Sequence, residues 1–114
     1  MTTHQERCEK LAMALEKKPS EPLSSMRSRL GFWMRKNYGN GYEWYAVDFT
    51  QSEEASAKLL EAMPCPQLER FTNQWDVPVG WRCLPHVYTQ DNKVIHGDRK
   101  TAIFEAGCAW KGIE

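Results

Sequence analysis

The chain has no long apolar run, no net charge and no apolar N-terminal segment, and each absence argues against a class of protein. Its 114 residues contain no apolar stretch near the roughly 20 residues that a membrane helix requires. The N-terminal stretch MTTHQERCEK lacks the apolar core of a signal peptide. Fifteen basic and fifteen acidic side chains cancel, whereas a nucleic-acid-binding domain usually carries a basic excess. We therefore expect a cytoplasmic protein without membrane association, for which nucleic acid is the less favoured partner.

The cysteines form no CxxC motif, and no glycine-rich phosphate loop is present. Cys8, Cys65, Cys83 and Cys108 are widely spaced, which in a reducing compartment predicts buried, inert thiols and not a disulfide framework. The segment Gly39-Asn40-Gly41 precedes a predicted strand and not a helix, so it lacks the context of a phosphate-binding loop.

Residues 3–18 have the pattern of a first helix. Thr3 and Glu6 match the spacing of a capping box. The apolar positions that follow at helical spacing are Cys8, Leu11, Ala12 and Leu15. A Pro/Ser-rich connector over 19–25 comes next. We predict a single domain of 114 residues, in which the N-terminal helix (1–18) either joins the core or forms a separate appendage on that connector.

Two further helices are predicted at 52–63 and after Asp98. Thr50 and Glu53 form a second capping box. The apolar stripe of this second helix is Ala55, Leu59, Ala62 and Met63. For the last helix, Asp98 is the expected N-cap and Gly112 the C-terminal glycine. Its apolar positions are Ala102, Ile103, Ala106 and Trp110.

Two β-hairpins are predicted between these helices. Residues 31–37 and 42–49 are strand-like and flank the turn YGNG at 38–41, and Asn-Gly is a strong hairpin signal. Residues 79–88 and 93–96 predict the second hairpin, and the stretch before it is expected to be irregular. The predicted fold class is α+β, with a small antiparallel sheet of two hairpins packed with helices in the order α-ββ-α-ββ-α.

The C-terminal half carries a helix SEEASAKLLEAM, a strand with Trp81-Arg82-Cys83, a short polar hairpin and the block HGDRKTAIFEAGCAWKG. This pattern resembles small phage and prophage proteins of the phage α/β/α-sandwich type. The resemblance implies an origin in a bacteriophage or integrated element and action in the bacterial cytoplasm. It implies an accessory role, such as binding and blocking a host machine, and it implies no functional residues.

Cysteine and histidine offer candidate chemistry in the C-terminal half. Cys83 and His86 have the CxxH spacing of a zinc ligand pair, but zinc sites usually combine two close pairs. Cys83 or Cys108 are candidate nucleophiles beside His86. His96 is a second candidate base, and Asp98 a candidate orienting carboxylate. Because buried thiols, surface imidazoles and a helix cap explain these residues, we predict no catalytic, cofactor-binding or metal-binding set.

A basic and aromatic segment is the strongest candidate for a binding surface. Arginines with aromatic side chains are typical of protein interfaces and of nucleic-acid stacking surfaces. The alternative is that Phe32 and Met34, or else Trp33 alone, point into the core. The five Trp are many for one small core, and Trp44 and Trp75 are the two expected candidates for exposure; the alternative is that they close the core. The candidate interface residues are Arg27, Arg29, Trp33, Arg35, Lys36, Tyr38, Trp44 and Trp75.

Together these patterns favour a non-enzymatic accessory protein that acts through protein–protein contact. Its partner is a host (defence) factor that it inhibits, or a second copy of the chain in a homodimer. A nucleic-acid-binding module that uses the basic and aromatic segment is the alternative. A zinc- or cysteine-dependent enzyme is the second alternative.

Overall fold

The structure, a computed structural model, describes residues 3–16, 29–39, 41–64, 66–84 and 95–113. Within these ranges the chain forms three helices and five strands in the α+β order that the sequence predicts. The helices are α1 (His4–Leu15), α2 (Glu53–Ala62) and α3 (Arg99–Lys111). The strands are β1 (Arg29–Leu30), β2 (Trp33–Tyr38), β3 (Gly41–Ala46), β4 (Gln67–Thr72) and β5 (Pro78–Leu84). Each described helix is too short or too polar to cross a bilayer.

The strands form two antiparallel sheets. The first has the order β1-β2-β3, and its register pairs Tyr38 with Gly41, so the predicted hairpin is confirmed. The connection begins at Gly39, whose φ of +40° suits glycine. The second sheet contains β4 and β5. An isolated bridge between Trp81 and His96 extends it beyond β5.

The predicted N-cap of α1 and both predicted ends of α3 are confirmed, whereas α1 ends at Leu15, before the predicted end at residue 18. The Thr3 hydroxyl accepts a hydrogen bond from the Glu6 backbone N–H at 3.1 Å. At α3, an Asp98 carboxylate oxygen accepts from the Thr101 backbone N–H at 3.0 Å. Gly112 ends that helix in the left-handed region, with φ of +69°. These caps satisfy backbone groups that a helix end otherwise leaves without partners.

The predicted cap of α2 is wrong by two residues. Ser52, and not Thr50, is the N-cap, and its hydroxyl accepts from the Ala55 backbone N–H at 3.2 Å. The Thr50 hydroxyl is engaged elsewhere, because it donates to Asp48 at 2.7 Å. The predicted apolar face of α2 is also wrong in part. Ala62 is exposed, whereas Ser56 is buried together with Ala55 and Leu59.

The structure contains a β4–β5 hairpin that the sequence does not predict, and it describes the predicted pairing of 79–88 with 93–96 only at the antiparallel Trp81–His96 bridge. The stretch expected to be irregular forms β4, which pairs with β5 across a five-residue connection at 73–77. An ion pair of 2.6 Å between Glu69 and Arg82 crosses the two strands, and the Arg82 guanidinium lies 5.5 Å from the Phe71 ring. Cross-strand contacts of this kind stabilise a strand that lacks a clear apolar alternation. Residues 85–94 of the predicted hairpin lie outside the described residues.

Gly80 allows residues 95–96 to pack closely against β5. A Cβ atom at this buried position would meet Ile95 Cγ2 and would lie 3.1 Å from the His96 carbonyl oxygen. The glycine therefore permits the close approach in which Trp81 and His96 exchange backbone hydrogen bonds of 2.7 and 2.8 Å.

One hydrophobic cluster joins the helices to the sheets. The rings of Phe49 and Phe104 stack at its centre, 5.8 Å apart, with Phe32 packed on Phe49. Helix α1 contributes Cys8, Leu11 and Ala12 to the same cluster. The connector 19–25 lies outside the described residues, so the appendage alternative for 1–18 stays a prediction.

Candidate functional site

The structure places the predicted interface residues in different environments. Trp33 is 1 % exposed and Trp44 is 4 % exposed, so the expectation that Trp44 lies on the surface is wrong. Both rings lie on the sheet face that packs into the core, since the register aligns Trp33 with Ala46 and Arg35 with Trp44. Neither indole can contribute to an exposed interface.

The basic residues of that segment face acidic ones. Arg35 and Lys36 line a cavity of about 500 Å³ together with Glu9 and Glu43, and the register sets Lys36 opposite Glu43. The two carboxylates in this cavity offset the positive charge of the two basic side chains. The cavity therefore lacks the positive electrostatic potential of a phosphate-binding surface. Of the other candidates, Arg27 lies outside the described residues, and Arg29 and Tyr38 are described by their backbone only.

Trp75 is exposed, as the sequence predicts. Its side chain is 73 % accessible at the end of the second hairpin, and Val77 and Val79 beside it are each more than half exposed. We call residues 73–79 the hairpin tip. Three large apolar side chains within this short segment form a surface feature that the core does not require.

The hairpin tip is an ordered turn that Asn73 organises. The Asn73 side-chain oxygen accepts hydrogen bonds from the backbone N–H groups of Trp75 and Val77, at 2.9 and 3.0 Å. The Asn73 backbone N–H donates to the Val77 carbonyl oxygen, and its carbonyl oxygen accepts from Asp76, each at 3.0 Å. Asp76 adopts φ of +64°, a conformation that Asp tolerates better than most residues. The turn therefore holds the Trp75 backbone in one position.

A second cluster of polar side chains lies where α1 meets the end of β3. His4 Nε2 lies 2.9 Å from Asp48 Oδ1 and 3.7 Å from Cys8 Sγ. One donor atom from each of the three side chains lies within 4.8 Å of the others. These side chains line a cavity of about 320 Å³ with Gln5, Tyr45 and Ala46. We call His4, Cys8 and Asp48 the α1 cluster.

Neighbouring groups fix each member of the α1 cluster. The His4 ring makes an edge contact with Phe104, with 5.3 Å between centroids. Asp48 Oδ1 accepts from the backbone N–H and the hydroxyl of Thr50, at 3.0 and 2.7 Å. Burial raises the pKa of Asp48, but the hydrogen bonds from Thr50 and His4 outweigh it and leave that pKa lowered. Burial raises the pKa of the Cys8 thiol, and a backbone hydrogen bond with Phe49 opposes this rise.

The geometry of the α1 cluster differs from that of a Cys-His-Asp catalytic triad. In a triad the carboxylate and the nucleophile contact opposite nitrogens of the imidazole. Here the single atom His4 Nε2 faces both Asp48 and Cys8. Cys8 is also only 2 % exposed, which shields its sulfur from a substrate.

Sequence reasoning missed this cluster. His4 and Cys8 are four residues apart on a predicted helix, so they share one face, and this spacing was the available signal. Asp48 is 44 residues further along, and only the packing of α1 on β3 brings it close.

The cysteine and histidine pairs predicted for chemistry do not form a described site. Cys83 and Cys108 are buried, and burial raises the pKa of each, to about 11 and about 12, so both thiols are protonated at neutral pH. Asp98 serves as the α3 cap, and His96 pairs through its backbone with Trp81. His86 lies outside the described residues, as does Cys65.

Comparisons with protein-family models, with curated proteins and with solved structures give no match for this chain. The resemblance of the C-terminal half to phage proteins therefore stays a prediction.

Proposed function

We propose that the chain is a non-enzymatic accessory protein that binds a protein partner through the hairpin tip. The observation that carries this proposal is the exposure of Trp75 on an ordered turn. Tryptophan is the residue type most enriched among the side chains that dominate protein interfaces. In this chain the indole is available for a partner, because most of its surface is in solvent.

The order of the turn favours binding over a merely tolerated exposed side chain. An anchor residue held in place before binding loses less conformational entropy in the complex. Asn73 fixes the backbone at Trp75 and at Val77 through its side-chain oxygen. The apolar surface is thus presented in a defined geometry, which an apolar pocket on a partner can match.

The chemistry of the hairpin tip favours a protein over a nucleic acid. Residues 73–79 read NQWDVPV and contain no cation and one carboxylate, that of Asp76. Binding to nucleic acid depends on Lys and Arg contacts to phosphates. A protein with an apolar pocket of indole size is the partner that fits. The phage resemblance is our reason to seek this partner among bacterial host proteins.

Comparative capture tests the proposal. The wild type, Trp75→Ala and Met13→Ala are immobilised, exposed to bacterial lysate, and the retained proteins are identified and then purified. Met13 is a large exposed apolar residue on α1, so Met13→Ala is the matched control. We expect a partner whose Kd is unchanged by Met13→Ala and about 30-fold weaker with Trp75→Ala, as for an interface anchor.

Self-association is measured on the same three proteins by analytical ultracentrifugation. A dimer that Trp75→Ala dissociates and Met13→Ala preserves identifies a second copy of the chain as the partner. A strictly monomeric chain that retains no host protein overturns the proposal. So does a partner that binds Trp75→Ala as tightly as the wild type.

A further inference from the structure

We propose that His4, Cys8 and Asp48 form a binding site for one zinc-class transition metal ion that fastens helix α1 to the end of β3. The three side chains supply an imidazole nitrogen, a sulfur and a carboxylate oxygen, which are the ligand types that zinc takes in proteins. The site lies apart from the hairpin tip and does not depend on the proposed function.

The spacing of the donor atoms suits a tetrahedral ion. With usual zinc–ligand bond lengths, two ligand atoms of a tetrahedron lie roughly 3.3 to 3.5 Å apart. His4 Nε2 lies 2.9 Å from Asp48 Oδ1 and 3.7 Å from Cys8 Sγ, and the three donor atoms are mutually within 4.8 Å. The His4–Asp48 and His4–Cys8 separations are thus within about 0.5 Å of these values, and side-chain rotation can bring Cys8 and Asp48 to the same spacing around one ion.

The convergence on a single imidazole nitrogen has a direct explanation in metal binding. A ligating histidine directs one nitrogen at the ion, toward which the other ligands also point. His4 Nε2 faces both partner side chains, and this arrangement argues against a triad but is the one that a metal site requires. The thiolate and the carboxylate together carry two negative charges, which balance those of a divalent ion.

The residues around the α1 cluster orient the Asp48 carboxylate, leave a path for the ion from solvent and leave room for a fourth ligand. Thr50 donates two hydrogen bonds to the Asp48 carboxylate, as outer partners of metal ligands commonly do. The side chains of His4 and Asp48 are 47 % and 46 % exposed, while Cys8 is 2 % exposed. An ion can thus enter from solvent and meet the sulfur at the inner side. The cavity of about 320 Å³ has room for a water ligand.

The consequence is a link between metal binding and the docking of α1. Two ligands lie on α1 and the third follows β3, so the complete site exists only when α1 is packed on the sheet. An ion that binds only the folded chain stabilises it by mass action. At a hundredfold excess of zinc over its Kd we expect Tm to rise by about 10 °C.

Cobalt and zinc titrations of the tag-free chain test the site. We expect one Co²⁺ per chain with a sulfur-to-cobalt charge-transfer band, and displacement of that ion by Zn²⁺. Mg²⁺ and Ca²⁺, which prefer oxygen ligands, should neither bind nor raise Tm. Cobalt binding without the charge-transfer band would mean that Cys8 is not a ligand and would overturn the proposal.

Variants assign the ligands. Cys8→Ala, Asp48→Asn and His4→Gln should each weaken zinc binding by more than about 100-fold, and Thr50→Val by about 10-fold. Cys83→Ala, which alters a buried cysteine of β5 that is not part of the α1 cluster, should keep the wild-type Kd. His4→Gln changes a half-exposed side chain, so its circular dichroism spectrum should match the wild type. Equal zinc affinity in Cys8→Ala and the wild type would overturn the proposal.

Discussion

The two hairpins place their tryptophans in opposite environments. The β2–β3 hairpin places Trp33 and Trp44 in the core, because its inner face packs against the helices. The β4–β5 hairpin contacts α3 mainly through β5 and leaves Trp75 in solvent. A tryptophan on a hairpin thus stabilises the fold in one case and is available for binding in the other. What differs is the position of the side chain: Trp33 and Trp44 lie on paired strands with a buried face, whereas Trp75 lies in the connection at 73–77.

Removal of each indole gives the largest contrast. Trp33→Ala should lower the free energy of unfolding by about 3–5 kcal/mol, since it deletes a large side chain from the core. Trp75→Ala should change it by less than about 0.5 kcal/mol, as for most surface substitutions. Urea unfolding of the two variants and the wild type measures both values.

Trp33→Phe provides a milder version of the core substitution should Trp33→Ala fail to fold. Equal losses in Trp33→Phe and Trp75→Phe would contradict the contrast between the hairpins. That result would mean that the indole of Trp75 packs in solution as the one of Trp33 does.

The sequence predicted those features whose causes lie within a few residues. The caps at Thr3 and Asp98 each depend on a hydrogen bond that spans three residues. The left-handed end of α3 depends on Gly112 alone. Such features are visible in a short window of sequence, because the interacting groups are neighbours in the chain.

The remaining features depend on packing between distant residues. Trp44 and Trp75 could not be distinguished from the sequence, because the pairing of β4 with β5, which places Trp75 in a turn, and the burial of the Trp44 face both depend on distant residues. β4 was missed, since its stability comes from pairing with β5 and from the Glu69–Arg82 ion pair. The α1 cluster was missed because Asp48 joins His4 and Cys8 only through tertiary contact.

Protonation of Glu105 at acid pH should lower the free energy of unfolding, because Glu105 pairs with Arg7. Two hydrogen bonds of 2.8 and 2.7 Å join Arg7 of α1 to the Glu105 carboxylate of α3. The hydrogen bonds from Arg7 lower the pKa of Glu105, and burial opposes this change. A lowered pKa means that the unfolded state binds more protons between the folded and unfolded pKa values. The stabilisation is complete above the unfolded pKa and is lost as pH falls through the folded pKa.

We expect Glu105→Gln to remove this component, which amounts to about 1 kcal/mol for a partly buried pair of this geometry. Urea unfolding from about pH 6 to about pH 3 should show a steeper loss in the wild type than in Glu105→Gln. Trp75→Ala, which changes an exposed side chain and removes no titratable group, is the control and should keep the wild-type dependence of stability on pH. Parallel curves for the wild type and Glu105→Gln would contradict the assignment.

The smallest effect concerns the order of the hairpin tip. Asn73→Ala removes the acceptor of two backbone hydrogen bonds in an exposed turn, and the expected loss in stability is about 0.5–1 kcal/mol. Asn73→Asp keeps an oxygen acceptor and should differ little from the wild type. Amide hydrogen exchange provides the local measurement, since the N–H groups of Trp75 and Val77 lose their acceptor in Asn73→Ala. Their exchange should accelerate while that of β2–β3 stays unchanged. Unchanged exchange at Trp75 would mean that Asn73 does not order the tip, and the preorganised indole would then lose its structural basis.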